Sequence, residues 1–313
     1  MQRLAMGLLG GLVVLGLASA ARAADDAEFT RQEDVIYGRK WGMALTMDVF
    51  TPKKDANGAA VVYMVSGGWF SRHENVNAAA YQEFLKHGYT VFAVVHGSQP
   101  KFTIPEVLED VNRAVRFIRF HAKEYKIDPD RLGVSGGSAG GHLSLMLGTA
   151  GDQGDPKAQD PVDRTSSRVQ AVACFFPPTD FLNWGTEGNE LTSKTIQDPF
   201  KPAFDFREGD PKTHLFLPVT DEAKVHDLLK KISPLTHVTS DDAPTLIIHG
   251  DKDTLVPIQQ AEVFVARLKE AGIPAKLIVK EGAGHGGWKD MGKDLGTFAD
   301  WFDQYLKKGP KEK

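Results

Sequence analysis

The chain has one cysteine, Cys174, so it has neither an intrachain disulfide nor the thiolates for a cysteine-built metal site. Cys174 lies in an apolar run, where an inert buried thiol is expected. There is no excess of one charge: 37 Lys and Arg stand against 41 Asp and Glu, a formal net charge of -4. That balance lacks the basic footprint of a nucleic-acid surface and the polybasic pull toward anionic lipid. Membrane-length hydrophobic runs are missing as well. The run from Leu8 to Leu17 is well short of the ~20 residues that cross a bilayer, so no stable membrane anchor is expected. Internal repeats are absent, and the one biased tract is the Lys-rich tail from Lys307. What remains is 313 residues, 42% hydrophobic and 25% charged, enough to bury a sizeable core and too apolar for disorder. The length fits two domains or one domain with an insertion.

Residues 1–23 open with Arg3, continue through that apolar run and close on Ala21-Arg22-Ala23. A basic start, a short apolar segment and a small-residue end describe a cleaved export signal, with cleavage expected before Ala24. Removing Arg3 and Arg22 from the 37 basic residues leaves 35 against 41 acidic ones, a mildly acidic exported protein, periplasmic or extracellular.

Beyond the leader, strand-like runs alternate with helical patterns: Ala60 to Val65, Ala78 to Lys86, Val91 to Val95, Val107 to Tyr125, and Leu132 to Ser135. Such alternation builds a mostly parallel sheet with helices on its faces. In the long helix, Val107, Val111, Ala114, Val115 and Ile118 recur at steps of three and four, while Glu109, Arg113, Arg116 and Lys123 hold the other side. From about Phe181 to Lys231 the pattern gives way to Pro, Gly, Asp and isolated aromatics. It resumes at Thr245 to His249, Gln259 to Ala271 and Ala275 to Lys280, with a last helix ending near Leu306. One α/β domain over 24–313 with a lid-like insertion at 181–231 is therefore expected, its sheet beginning near residue 60.

Gly136-Gly137-Ser138-Ala139-Gly140 stands directly between a strand pattern and an apolar helical pattern. This is the setting of a nucleophile elbow, a turn so sharp that flanking positions need glycine. Downstream, His249-Gly250-Asp251-Lys252-Asp253 places two acids just past a strand end. Thirty-two residues after Asp253, His285 lies in the glycine-rich loop Gly282 to Gly287, after the next strand. A serine hydroxyl is a poor nucleophile at neutral pH, so it needs a base to take its proton and an acid to hold that base. Ser138, His285 and Asp253 or Asp251 fill those roles, in the chain order Ser, Asp, His. A tetrahedral intermediate also needs preplaced donors. Ala139, next to the nucleophile, supplies one backbone N–H, and Gly67 or Gly68, in the loop after the strand Ala60 to Val65, supplies another.

These residues resemble the α/β-hydrolase superfamily, and within it the secreted esterases akin to hormone-sensitive lipase and to acetyl-xylan and feruloyl esterases. The resemblance covers most of the chain beyond the leader. It rests on Gly-Ser-Ala-Gly-Gly at the elbow, Phe176-Pro177-Pro178-Thr179-Asp180, Ser233-Pro234, and the stretch from His249-Gly250 to Val256-Pro257. It implies an acid four residues after the strand-ending histidine, which selects Asp253. One departure stands out: the family's oxyanion loop commonly reads His-Gly-Gly-Gly before an aromatic, whereas this chain reads Val65-Ser66-Gly67-Gly68 before Trp69. The organising histidine is missing from the loop, and Ser66 is a partial substitute.

The expected activity is hydrolysis of short-acyl or aromatic esters, including acetyl or feruloyl groups on polysaccharide, through an acyl-enzyme. The ester is free or polysaccharide-linked, and no metal or cofactor takes part. Trp69 and Trp288 are candidate pocket walls, and Phe204 and Phe206 candidate lid contacts. A prolyl-oligopeptidase-like peptidase and a catalytically silent hydrolase-fold binding protein are the alternatives.

Overall fold

The computed structural model describes residues 28–307; the expected leader lies outside them. Ten strands form in chain order: β1 (Phe29–Lys40), β2 (Met43–Pro52), β3 (Ala60–Met64), β4 (Thr90–Val94), β5 (Leu132–Gly137), β6 (Ala171–Phe175), β7 (Arg207–Gly209), β8 (Phe216–Pro218), β9 (Thr245–Gly250) and β10 (Ala275–Lys280). Eight of them make one sheet in the order β1-β2-β4-β3-β5-β6-β9-β10. Pairing is antiparallel for β1 with β2 and for β2 with β4, and parallel from β4 to β10.

The sheet thus starts earlier than the sequence pattern suggests. The hairpin of β1 and β2 precedes Ala60, and β1 was not legible because it is a largely exposed edge strand interrupted by register shifts at Gln32/Val35 and Ile36/Gly38. An edge strand with little to bury has no need of apolar alternation.

Among the described residues, six α-helices form: α1 (Gln82–Lys86), α2 (Ile104–Phe120), α3 (Ala139–Ala150), α4 (Glu222–Ile232), α5 (Gln259–Glu270) and α6 (Met291–Phe302). The period of two in the strands divides the core. Val62, Met64, Phe92, Val94, Val134, Cys174 and Ile247 pack on the side of α2, α3 and α5. Val61, Val91, Ala93, Ala173, Leu246 and Ile248 pack on the side of α1 and α6. The register of α2 is set by a capping box of Thr103 and Glu106, with Pro105 in the first turn. Cys174 is fully buried, and burial holds its thiol well above the ordinary range.

Between β6 and β9 the chain leaves the sheet. This stretch carries the isolated hairpin of β7 and β8, followed by α4. Its aromatics Phe181, Phe204 and Phe206 are buried and join the core on the α3 side. Among the described residues, no helix is long and apolar enough to cross a membrane.

Candidate active site

Ser138 follows β5 immediately and precedes α3, with φ 54° and ψ -120°. A side chain at such a φ is strained, and the strain is sustained only because the neighbours over-determine it. A Cβ on Gly136 would stand 2.7 Å from the Gly140 backbone, and one on Gly140 would stand 2.9 Å from the Met64 carbonyl. Only glycine lets strand and helix approach this closely.

The parallel order β5-β6-β9-β10 sets the loops that follow these strands side by side at one sheet edge, where open α/β sheets gather their ligands. His285 Nε2 lies 2.9 Å from Ser138 Oγ, and His285 Nδ1 lies 2.7 Å from Asp253 Oδ2. A carboxylate only accepts, so Nδ1 carries the proton and Nε2 is left to accept from the serine hydroxyl. Asp253 Oδ1 accepts the N–H groups of Leu255 and Val256, both at 2.9 Å. His249 Nε2 donates to the Val256 carbonyl at 2.9 Å and lies 3.2 Å from Asp253 Oδ2. Burial alone would raise the Asp253 pKa, but the hydrogen bonds from His249, His285 and Val256 outweigh it and hold the carboxyl well below the usual range. Asp251 is elsewhere, accepting the Gly282 N–H at 2.6 Å. The Phe176 ring, 4.4 Å from the imidazole centroid, packs against His285.

Of the three expected backbone donors, Gly67 is not placed to serve. Its N–H donates to the Phe70 carbonyl at 3.0 Å, and the Phe70 N–H returns to Gly67 at 3.0 Å, closing a small bridge. The Gly68 N–H has no acceptor among the described residues. Ala139 opens α3, where an amide has no intrahelical partner.

A histidine absent from the loop's own sequence reaches it from beyond β4. His96 Nδ1 donates to the Gly97 carbonyl at 2.7 Å, so its Nε2 accepts from Ser66 Oγ at 2.8 Å. Ser71 Oγ donates to the Val65 carbonyl at 2.6 Å and accepts the His96 N–H at 3.1 Å, and Gln99 Nε2 donates to the Gly68 carbonyl at 2.6 Å. On the next residue, Trp69 Nε1 donates to His142 Nδ1 at 3.2 Å while His142 Nε2 donates to the Ile232 carbonyl at 2.7 Å. Burial lowers the pKa of both His96 and His142 to about 4, keeping each neutral and its tautomer defined. Ser66, His96, Gln99 and His142 carry no spacing signal, because their partners come from distant parts of the chain.

A cavity of about 260 Å³ opens beside Ser138, bordered by Gly68, Trp69, Trp184, Leu191, Phe200 and Val256 among others. The expected walls divide here. Trp69 borders the cavity. Phe204 and Phe206 do not: they are 2% and 5% exposed, and Phe204 packs edge-on beneath Trp69 at 5.4 Å. Trp288 is also outside it, packed on Phe175 and Phe176 with its Nε1 donating to Asp294 Oδ2 at 2.6 Å. The aromatics the insertion does contribute are Trp184 and Phe200. A short apolar run reads alike whether it packs inward or lines a pocket, so the sequence could not choose among them.

Sheet order, strained elbow and the Ser138–His285–Asp253 chain of hydrogen bonds define an α/β-hydrolase. The family model described as BD-FAE matches residues 47–268, and the chain belongs to that family. Among curated proteins it is 30% identical over 255 residues to a probable carboxylic ester hydrolase, LipM, of Mycobacterium tuberculosis, covering 78% of this chain and 53% of that one. It is 28% identical over 243 residues to the esterase LipQ of the same organism, covering 76% and 53% respectively. The chain thus spans about half the length of these relatives. Among solved structures, a truncated carbohydrate esterase from gut microbiota superposes with a TM-score of 0.69 at 26% identity, covering 89% of this chain and 98% of that one.

Proposed function

We propose that this protein is an exported serine carboxylesterase that cleaves short-acyl or aromatic esters, including those borne on polysaccharide. The observation that carries the reading is the unbroken relay from Ser138 Oγ through His285 to Asp253 at the mouth of a cavity. Ser138 Oγ attacks the ester carbonyl carbon as His285 Nε2 takes its proton, and the carbonyl π pair moves onto oxygen. The N–H groups of Gly68 and Ala139 are the donors assigned to that developing negative charge, each donor of this kind contributing ~3 kcal/mol. Collapse expels the alcohol, which receives the proton from His285 and leaves Ser138 acylated. Water then repeats the sequence, losing a proton to His285, and the carboxylic acid departs with Ser138 restored. Asp253 remains ionised throughout and stabilises the imidazolium.

The ester hydrolases among the relatives and the carbohydrate esterase among the structural neighbours support ester over peptide substrates. The test is turnover of acetyl, butyryl, feruloyl and peptide substrates, alongside labelling by a fluorophosphonate. Ester turnover with labelling at Ser138, both abolished in Ser138→Ala, is expected. Peptide turnover alone would establish the peptidase alternative, and no turnover or labelling would favour a binding protein.

A further inference from the structure

At the tip of the first hairpin, the two-residue turn between Lys40 and Met43 consists of Trp41 at φ 49° and Gly42 at φ 79°. Two consecutive left-handed residues make the turn that favours Asn-Gly or Asp-Gly, because a bulky side chain is strained there. Trp41 is nevertheless present and 67% exposed. Its ring meets that of Phe216 on β8 edge-on, with centroids 5.7 Å apart, and Phe216 is itself 55% exposed. Neither ring contributes much to the core, so folding does not account for this pair. A large aromatic left in water at a strained turn, with a second exposed ring set against it, points to a ligand.

The two rings border a cleft of about 520 Å³, within the range of about 300 to 1,000 Å³ for small-molecule sites. Beside Pro100 and Phe102, its lining includes the polar side chains of Lys101, Thr103, Glu106, Asp205 and Arg207. Lys101 Nζ meets only the Met43 thioether at 3.5 Å and the Phe102 ring at 5.7 Å, with no carboxylate partner among the described residues. Asp205 and Arg207 pair at 2.6 Å on the lid side. Aromatic faces beside donors and acceptors of both signs suit a sugar, whose axial C–H groups stack on a ring while its hydroxyls both donate and accept. A protein-docking face would instead keep charge away from its centre.

The cleft also lies against the catalytic loops. Gln99, which holds the Gly68 carbonyl, directly precedes the cleft residues Pro100 and Lys101. Asp205 stands between Phe204, packed on Trp69, and Phe206. We infer that this cleft binds sugar residues of the polysaccharide whose ester is cleaved at Ser138, a subsite for the carrier chain. The inference rests on the esterase reading.

Binding and catalysis are tested separately. Retardation of the full protein in gels containing soluble unesterified xylan, and titration with xylo-oligosaccharides, read the cleft without any ester chemistry. The variants are Phe216→Ala and Trp41→Asn, the latter removing the ring while suiting the left-handed turn, so loss of fold does not confuse the result. Wild-type binding weakened about tenfold in each variant is expected, the loss of one aromatic contact. kcat/KM on acetylated xylan should fall to a similar degree while that on p-nitrophenyl acetate stays unchanged. Equal binding and equal xylan kinetics in wild type and variants would overturn the subsite and leave the esterase reading intact. A dimer in sedimentation that dissociates in Trp41→Asn, without xylan binding, would overturn it in favour of a self-association face. Absence of all ester turnover with xylan binding retained would remove the esterase reading instead.

Discussion

The phenyl ring of Phe200 occupies the space beside Gly68 that a side chain would need: a Cβ on Gly68 would stand 2.4 Å from Phe200 Cε1. Gly68 also has φ +56°. A residue of the insertion and a proposed oxyanion donor are therefore packed as one unit. Gly68→Ala should displace the donor and lower kcat by ~100-fold, the usual cost of one lost oxyanion donor. Adding Phe200→Ala should return part of that activity by vacating the space, leaving the backbone strain. Steady-state kinetics of the two single variants and the double variant check the coupling.

Phe200 and Phe204 should behave oppositely although they are four residues apart. Phe200 borders the cavity and Phe204 is buried under Trp69. Phe200→Ala should shift the preference among acetyl, butyryl and feruloyl esters by about 1 to 3 kcal/mol, with little change in Tm. Phe204→Ala should cost about 3 to 5 kcal/mol of stability and depress all esters alike. Melting curves recorded beside substrate profiles separate the two.

The two acids after β9 also make different predictions. Asp253→Asn should reduce kcat by ~10⁴-fold, because an amide no longer enforces the Nδ1–H tautomer of His285. Asp251 holds only the Gly282 N–H and a loose contact with Lys252, so Asp251→Asn should keep most activity. Comparing the two kcat values at constant pH checks the assignment.

Stability should fall between about pH 6.5 and pH 4. His96 and His142, with folded pKa values lowered to about 4, bind protons in that window only when unfolded. The unfolded state therefore gains protons first, and stability rises with pH across it. Each histidine accounts for up to about 3 kcal/mol of this change. Asp253, depressed below the carboxylate range, acts later, withdrawing stability below about pH 4. His142→Gln keeps a donor for Ile232 and an acceptor for Trp69, and should flatten the slope between pH 4 and 6.5 in denaturant titrations.

The candidate elbow, acid and base were legible in the sequence because their signals are local. Gly136 to Gly140 sit between a strand and a helix pattern, and Asp253 and His285 sit just past apolar runs. The parallel sheet was legible for the same reason, since its strands β3, β4, β5, β6 and β9 are buried and read as apolar runs. β1 was not, because an exposed edge strand carries no such period.

Tertiary structure alone decided which backbone groups and aromatics surround Ser138. Whether Gly67 or Gly68 keeps a free N–H depends on a bridge to Phe70, and the loop's missing histidine is supplied by His96 from another strand end. Phe200 rather than Phe204 or Phe206 borders the cavity, although all three lie within seven residues of one insertion. Local spacing specifies which elements form and which candidate residues end them. The neighbour that fills or leaves a given space is fixed by contacts between residues far apart in the chain, and no period in the sequence encodes those contacts.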